Sequence, residues 1–201
     1  MGEKNRAIVA ARVSADQRER LAERMGSVHI SRIREMPRIE LYLDQLLTLV
    51  SQELEFMQLP GETLVTGSMV NNYVKQGVIP APRKKRYTRR HVASLLFVCA
   101  LKRVFSIAQV SQLAALIWAS ELDLEALYDS SCAALEGALA RRFSLGEKDG
   151  EPAAGITLVD RDGNPADPEL AWLLQAATEA LADKVAVEQA LLLASEEATG
   201  R

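Results

Sequence analysis

Apolar residues recur at intervals of three and four along most of this chain of 201 residues, a spacing typical of amphipathic α-helices. The pattern is clearest between Pro37 and Met57, where Pro37 fits the first turn of a helix and Pro60 lies beyond its end. A second long pattern covers Glu169–Ala194, and its apolar stripe is too broad to face water. The sequence therefore predicts a mainly α fold whose last helix packs on the domain or on a second subunit.

Residues that favour helix ends divide the remaining chain into shorter helices. Ser14 with Gln17 three residues later indicates a capping box, and Gly77 is suited to the left-handed residue that ends a helix. Further N-terminal caps are Thr66, Thr88 and Ser106. Prolines and apolar runs restrict extended backbone to Val78–Tyr87 and Ile156–Val159. We expect a loop with at most one hairpin at 146–168.

The charge is distributed unevenly along the chain. No Asp or Glu occurs in the 58 residues between Glu62 and Glu121, although the whole chain has 27 acidic residues and a net charge of only −3. This acid-free stretch contains nine cations: Lys75, Arg83, Lys84, Lys85, Arg86, Arg89, Arg90, Lys102 and Arg103. Because Pro80 and Pro82 disfavour helix, we expect Arg83–Arg86 on an exposed loop. A local field of this sign attracts polyanions, whatever the net charge.

Several functional classes are not expected. Cys99 and Cys132 are 33 residues apart and have no second Cys or His at ligand spacing, so a zinc site and a disulfide framework are not indicated and a cytoplasmic location fits. The longest apolar run, Val92–Leu101, is too short to span a bilayer. No phosphate-binding glycine loop or activated nucleophile is found, so we expect neither an enzyme nor a cofactor.

The segment Thr66–Val110 carries a family resemblance. It reads TGSMVNNYVKQGVIPAPRKKRYTRRHVASLLFVCALKRVFSIAQV. Its order of features resembles the DNA-binding domain of the MerR family of bacterial regulators: a helix ending in Tyr and Gly, an apolar pair with Pro, an Arg-bearing wing closed by Tyr, and a capped helix before a Phe-Ser-apolar turn. The matching residues are Tyr73, Gly77, Val78, Ile79, Pro80, Pro82, Arg83, Arg86, Tyr87, Phe105, Ser106 and Ile107. The wing is shorter than in typical MerR proteins and lacks their glycine turn.

With LYLDQL at Leu41–Leu46, the chain is also similar to an uncharacterised family of small bacterial MerR-like proteins described only as a domain of unknown function. The resemblance implies a winged helix-turn-helix with additional N- and C-terminal helices. It further implies a bacterial transcriptional regulator that binds double-stranded DNA as a homodimer.

Residues on the second helix of this resemblance would read bases, because an Asn amide can pair bidentately with adenine in the major groove. The base-reading candidates are Ser68, Asn71, Asn72 and Lys75. Nearby cations would hold DNA phosphates, which position a protein without reading sequence. The phosphate-binding candidates are Arg83, Lys84, Lys85, Arg86, Arg89 and Arg90.

The sequence is also compatible with functions other than DNA binding. A helical protein-interaction module with a degenerate winged helix would use the same fold without binding DNA, and its cations would form a solubilising surface. A small-molecule effector of unknown identity is compatible with the first interpretation, because the acidic C-terminal half could house a pocket. The predicted organisation is an N-terminal segment at 1–36, partly mobile, a helix-turn-helix domain at 37–120, and an acidic helical region at 121–201 for dimerisation or effector binding.

Overall fold

A computed structural model describes residues 14–144 and 155–199. Within these ranges the chain forms seven α-helices and one 3₁₀ turn, with isolated β-bridges and no regular strand. The helices are α1 (Ala15–Gly26), α2 (Leu43–Glu53), α3 (Gly67–Lys75), α4 (Arg89–Leu101), α5 (Ile107–Ala119), α6 (Leu124–Phe143) and α7 (Pro168–Thr199), and the 3₁₀ turn (Glu55–Met57) follows α2. The expectation of a mainly α fold is confirmed.

Polar side chains at the N-termini explain where several helices begin. In α1 the hydroxyl of Ser14 accepts from the backbone N–H of Gln17, and the Gln17 side chain accepts from the N–H of Ser14, as the sequence predicts. Thr66 caps α3, and Ser106 caps α5 with the same reciprocal arrangement as in α1. Gly77 has a φ of +70° just after α3, so the predicted left-handed terminator is also confirmed.

The start of α2 differs from the sequence prediction. Residues 37–42 are not helical, and α2 begins only at Leu43. The reason is a long-range backbone pairing: the N–H of Leu41 donates to the carbonyl of Tyr87 at 2.8 Å, and the N–H of Tyr87 donates back to Leu41 at 2.9 Å. Ile39, one of the apolar residues of the predicted helix, is 69% exposed. The prediction of a helix from Pro37 is therefore wrong.

The main hydrophobic cluster joins elements from all parts of the chain. It includes Met25 of α1, Leu46 of α2, Leu95 of α4, Leu139 of α6 and Leu181 of α7, each almost fully buried. The predicted regions 37–120 and 121–201 thus contribute to a shared cluster, as does the part of the N-terminal segment from residue 21 onward. Residues 1–13 of the segment 1–36, which was predicted to be partly mobile, lie outside the described ranges.

The last helix packs on its own chain. α7 lies along α6, and its buried face carries Leu170, Leu174, Leu181 and Val185. Arg141 of α6 pairs with an acid of α7 across this contact at 2.7 Å. The apolar stripe therefore finds a partner within the chain, and it no longer argues for a second subunit.

The segment that precedes α7 forms a compact turn. Leu122 pairs with Asp160, and Val159 pairs with Pro165, each through an isolated antiparallel bridge. The Asp160 carboxylate accepts from the backbone N–H groups of Asp162 and Asn164, both at 2.9 Å. A loop with at most one hairpin was predicted at 146–168, and residues 146–154 of it lie outside the described ranges.

No helix in the described part of the chain is long and apolar enough to cross a membrane.

Candidate nucleic-acid interface

Helix α3 separates a buried face from an exposed polar face. Val70 and Tyr73 are buried in the core. The four residues predicted to read bases all lie on the exposed side: Ser68, Asn71, Asn72 and Lys75. The helical period places them together because they are three or four residues apart, or adjacent.

Three of these four side chains have no partner among the described residues. The hydroxyl of Ser68 lies 2.9 Å from the hydroxyl of Thr66, so it belongs to the cap of α3. For Asn71, Asn72 and Lys75, no side-chain hydrogen bond or ion pair is found with any described residue. Their donors and acceptors are therefore available to an external partner.

The predicted cationic loop is a tight two-residue turn. The N–H of Arg86 donates to the carbonyl of Arg83 at 2.9 Å, and Lys84 and Lys85 between them have φ of +50° and +59°. Positive φ at both central residues is what a type I′ hairpin turn requires, and Asn-Gly is the usual sequence there. A residue other than glycine in this region costs about 1 to 2 kcal/mol. The turn thus holds two lysines at its tip despite unfavourable backbone conformations.

The base of the turn is anchored in the core. Tyr87 is buried, makes the backbone pairing with Leu41, and contacts the His91 ring edge-on at 5.6 Å between centroids. Burial raises the pKa of Tyr87. On the outer side, the guanidinium of Arg86 lies 3.6 Å above the ring of Tyr42. The tip can therefore project while its base remains fixed.

Arg89 and Arg90 form a second group, in the first turn of α4. The Nε of Arg89 donates to the carbonyl of Pro37 at 3.3 Å, and the guanidinium of Arg90 lies 4.7 Å from the centroid of the Trp118 ring. This first turn contains no acidic residue. Two cations at the positive end of a helix dipole are unfavourable for the helix and concentrate positive charge at one place. The six predicted phosphate contacts thus divide between the turn and the start of α4.

Arg103 has a different role from the other eight cations. Its side chain is only 7% exposed and pairs with Glu62 at 2.8 Å and Glu188 at 2.6 Å. Burial lowers the pKa of Arg103, but its hydrogen bonds to Glu188 and Glu62 together outweigh burial and raise it. The interpretation of Arg103 as an uncompensated cation is therefore wrong. Sequence reasoning missed this ion pair because Glu188 is 85 residues away.

Eight cations of the acid-free stretch remain without an acidic partner among the described residues. One of them, Lys102, has its ammonium 5.9 Å from the centroid of the Tyr73 ring. The positive charge that the sequence concentrates in this stretch is thus not neutralised by described acidic residues, except at Arg103.

The two thiols are structural. Cys99 and Cys132 are both buried, and burial raises the pKa of each to about 12. Because only the thiolate binds metals or attacks electrophiles, both side chains behave as small apolar residues at neutral pH.

Comparison with protein families identifies this chain as a member of one of them. Residues 31–131, half of the chain, match the family model described as "Domain of unknown function (DUF1836)", and the protein belongs to that family. The matched region contains α2 to α5, the tight turn and the start of α6. No curated protein and no solved structure matches the chain.

Proposed function

We propose that this protein binds double-stranded DNA through α3 and the tight turn at Arg83–Arg86, as a winged helix-turn-helix of MerR-like type. One observation carries the proposal: a helix face with three unpartnered polar side chains is followed in the chain by a projecting turn whose cations have no acidic partner in the described ranges. A polar helix face suits the major groove, and unpaired cations suit the phosphate backbone. A bacterial transcriptional regulator in the cytoplasm is the function that follows from this assignment.

The order of elements supports the same assignment. α2 and α3 contact each other and are joined by the 3₁₀ turn and a short connection, and the tight turn then leads to α4. In a winged helix-turn-helix the second helix enters the major groove, and here that helix is α3. The tight turn would act as the wing and contact the phosphates beside the groove.

Backbone strain at the tip of the turn is a further argument. Lys84 and Lys85 occupy left-handed conformations that glycine or asparagine would adopt at lower cost. Such strain often lies at binding sites, where the side chain is needed in spite of its cost. Two lysines in these positions are consistent with selection for charge at the tip.

The proposal includes a homodimer, on an argument from DNA geometry alone. Proteins with one recognition helix per chain commonly pair to span two half-sites about 34 Å apart. Because the stripe of α7 is buried within the chain, the dimer contact would have to use another surface.

A direct binding experiment tests the proposal. Fluorescence anisotropy of a labelled random duplex is measured against protein concentration at 50 mM salt, and the titration is repeated at increasing salt. We expect binding whose log affinity falls linearly with log salt, with a slope of about −0.9 per phosphate contact. Absence of binding at 50 mM salt would favour the alternative of a helical protein-interaction module.

Base reading requires a separate test. A preferred site is first selected from random duplexes. If the amide pairs bidentately with a base, Asn71→Ala and Asn72→Ala should each reduce the preference for that site by about 1 to 3 kcal/mol. The salt slope should remain nearly unchanged. Gln112→Ala on α5 is a matched control, because it also removes an exposed side-chain amide. Equal effects of all three variants would contradict base reading by α3.

A further inference from the structure

A cleft of about 500 Å³ lies between the α4–α5 pair and the first turns of α6. Phe97 and Trp118 contribute aromatic surface to its wall, and Ile117 and Leu127 contribute aliphatic surface. This volume falls within the range of about 300 to 1,000 Å³ that is common for small-molecule sites. The cleft is separate from the polar face of α3 and from the tight turn.

The hydroxyl donors that line the cleft are already engaged within the chain. Ser94 and Ser131 each donate to the backbone carbonyl four residues earlier, at 2.7 and 2.8 Å, and the hydroxyl of Tyr128 donates to the carbonyl of Ser31 at 3.0 Å. With these donors engaged, the wall presents mainly apolar surface to an occupant. It suits a hydrophobic group better than a sugar or a nucleobase, which would need free donors and acceptors.

Five charged residues line the cleft, and Asp123 and Arg161 among them are engaged within the chain. The Asp123 carboxylate accepts from the N–H groups of Glu125 and Ala126 at the start of α6, at 2.9 and 3.1 Å. Arg161 pairs with Glu121 at 3.0 Å. Glu125 is exposed, and its carboxylate has no partner within the described residues.

Arg89 and Arg90 supply the unneutralised positive charge of the cleft. Both line it, neither has an acidic partner among residues 14–144 and 155–199, and both stand at the positive end of α4. The Trp118 ring beneath the guanidinium of Arg90 restricts its position while its hydrogen-bond donors remain available. The N-terminus of α6, whose N–H groups donate to the Asp123 carboxylate, partly offsets the charge of that carboxylate. The two cations and the N-terminus of α4 exceed the remaining charge of Glu125, so the part of the cleft beside Arg90 favours a negatively charged ligand.

We propose that this cleft binds a small amphipathic carboxylate, whose aromatic or branched aliphatic body packs against Phe97 and Trp118 and whose anion pairs with Arg90. An Arg guanidinium binds a carboxylate through two parallel N–H donors, which gives orientation as well as affinity. The apolar body gains most of its binding free energy from leaving water. This proposal holds for the protein alone and does not depend on DNA binding.

Calorimetry on the full chain without DNA tests the proposal. The probe is 1-naphthylacetate, and 1-naphthylacetamide is an uncharged control of nearly the same shape. We expect the acid to bind with a Kd on the order of 10 to 100 μM. The amide should bind at least about tenfold more weakly, since it lacks the charge-assisted pair. Equal affinity for the two compounds, or no heat of binding for the acid, would overturn the proposal.

Two variants locate the binding site. Arg90→Gln should weaken the acid about tenfold and change the amide by less than about twofold, whereas Arg18→Gln on the exposed face of α1 should change neither. Ala93→Leu, which fills the cleft from α4, should weaken both compounds, and Ala115→Leu on the exposed face of α5 is its control. Unchanged affinity in Arg90→Gln, or in Ala93→Leu with its melting temperature retained, would contradict the assignment.

A measurement on the unmodified protein covers the case in which Ala93→Leu does not fold. The chain has two tryptophans, Trp118 in the cleft and Trp172, which is 70% exposed on α7. In ¹H–¹⁵N spectra, 1-naphthylacetate should shift the indole N–H signal of Trp118 and leave that of Trp172 in place, with assignment by Trp172→Phe. A shift of Trp172 alone would place the ligand elsewhere and refute the proposal.

Discussion

The cations of the acid-free stretch and those on α6 and α7 are the same residue types in opposite electrostatic settings. On α6, Arg141 and Arg142 both pair with Glu179 of α7, and Lys184 pairs with Glu188 one turn later on α7. In the acid-free stretch, eight of nine cations have no acidic partner in the described structure. The two arginine pairs join α6 to α7, whereas the eight unpaired cations make no ion pair with any described residue.

The difference shows that the unpaired set is retained at a local cost. Lys84 and Lys85 occupy left-handed conformations, and Arg89 and Arg90 oppose the dipole of α4. A sequence chosen for stability alone would avoid both arrangements. Places where a chain breaks local rules are often binding sites, and this supports an external anionic partner for these residues.

The largest expected effect concerns the one cation of the stretch that is paired. Arg103→Gln should lower the free energy of unfolding by about 1.5 to 3 kcal/mol, because Glu62 loses its cation and the partly buried Glu188 keeps only Lys184. Lys102→Gln, at the adjacent exposed position, should change it by less than about 0.5 kcal/mol. Urea denaturation measures both values. Similar effects of the two variants would mean that Arg103 belongs with the unpaired set after all.

A smaller effect, of opposite sign, is expected at the tip of the turn. The double variant Lys84→Asn/Lys85→Gly gives the turn its preferred sequence and should raise the free energy of unfolding by about 1 to 2 kcal/mol. If the tip contacts phosphates, the same variant should bind DNA more weakly. Thermal denaturation and duplex binding would be measured on the same preparations.

The control for the turn is Lys84→Gln/Lys85→Gln, which removes the charges and keeps the strained backbone. It should weaken DNA binding as much as the Asn-Gly variant without raising stability. A stability gain in both variants would show that charge repulsion, and not backbone conformation, sets the cost at the tip.

The smallest effect is a pH dependence at the start of α4. Burial lowers the pKa of His91 below its usual 6.5, and the positive charge of Arg90 acts in the same direction. A hydrogen bond with the backbone of Ala81 and the negative charge of Glu40 oppose this shift. The unfolded chain therefore binds a proton at His91 more readily than the folded chain does. The stabilisation that neutral His91 contributes is fully present above the unfolded pKa and is lost as the pH falls toward the folded pKa. His91→Gln should therefore lose less stability than the unmodified protein between pH 7 and pH 5.

His91→Gln also keeps a side-chain acceptor for the cap. In the unmodified protein, Nδ1 of His91 accepts from the backbone N–H of Thr88 at 3.0 Å, and Gln at this position is common in capping boxes. Urea titrations of both proteins at the two pH values give the difference. An identical loss in the two proteins would assign the pH dependence to other groups.

Local signals in the sequence predicted much of the fold. The caps at Ser14, Thr66 and Ser106 and the terminator Gly77 depend on neighbouring residues, and each was placed correctly. The start of α2 was missed because residue 41 pairs with a backbone 46 residues away, and no local pattern reports such a contact.

The candidate site was predictable to a similar extent. The exposure of Asn71 and Asn72 follows from helical periodicity, and the cationic turn follows from Pro80 and Pro82. The conformation of Lys84 and Lys85 was not predictable, because neither residue favours positive φ. The position of Arg90 over Trp118, which directs it to the cleft, depends on how α4 packs on α5 and carries no local signal.

The most direct test of the central claim compares two variants that each lose four positive charges. The first removes the cations of the turn by substitution with Gln at Arg83, Lys84, Lys85 and Arg86. The second removes exposed cations elsewhere by substitution with Gln at Arg18, Arg20, Arg34 and Arg161. In the first variant, the slope of log affinity for a random duplex against log salt should become shallower by about 0.9 for each phosphate that the turn no longer neutralises. In the second variant, the slope should remain near that of the unmodified protein. Equal slopes in the two variants, or no duplex binding by the unmodified protein, would contradict the claim that the unpaired cations hold DNA.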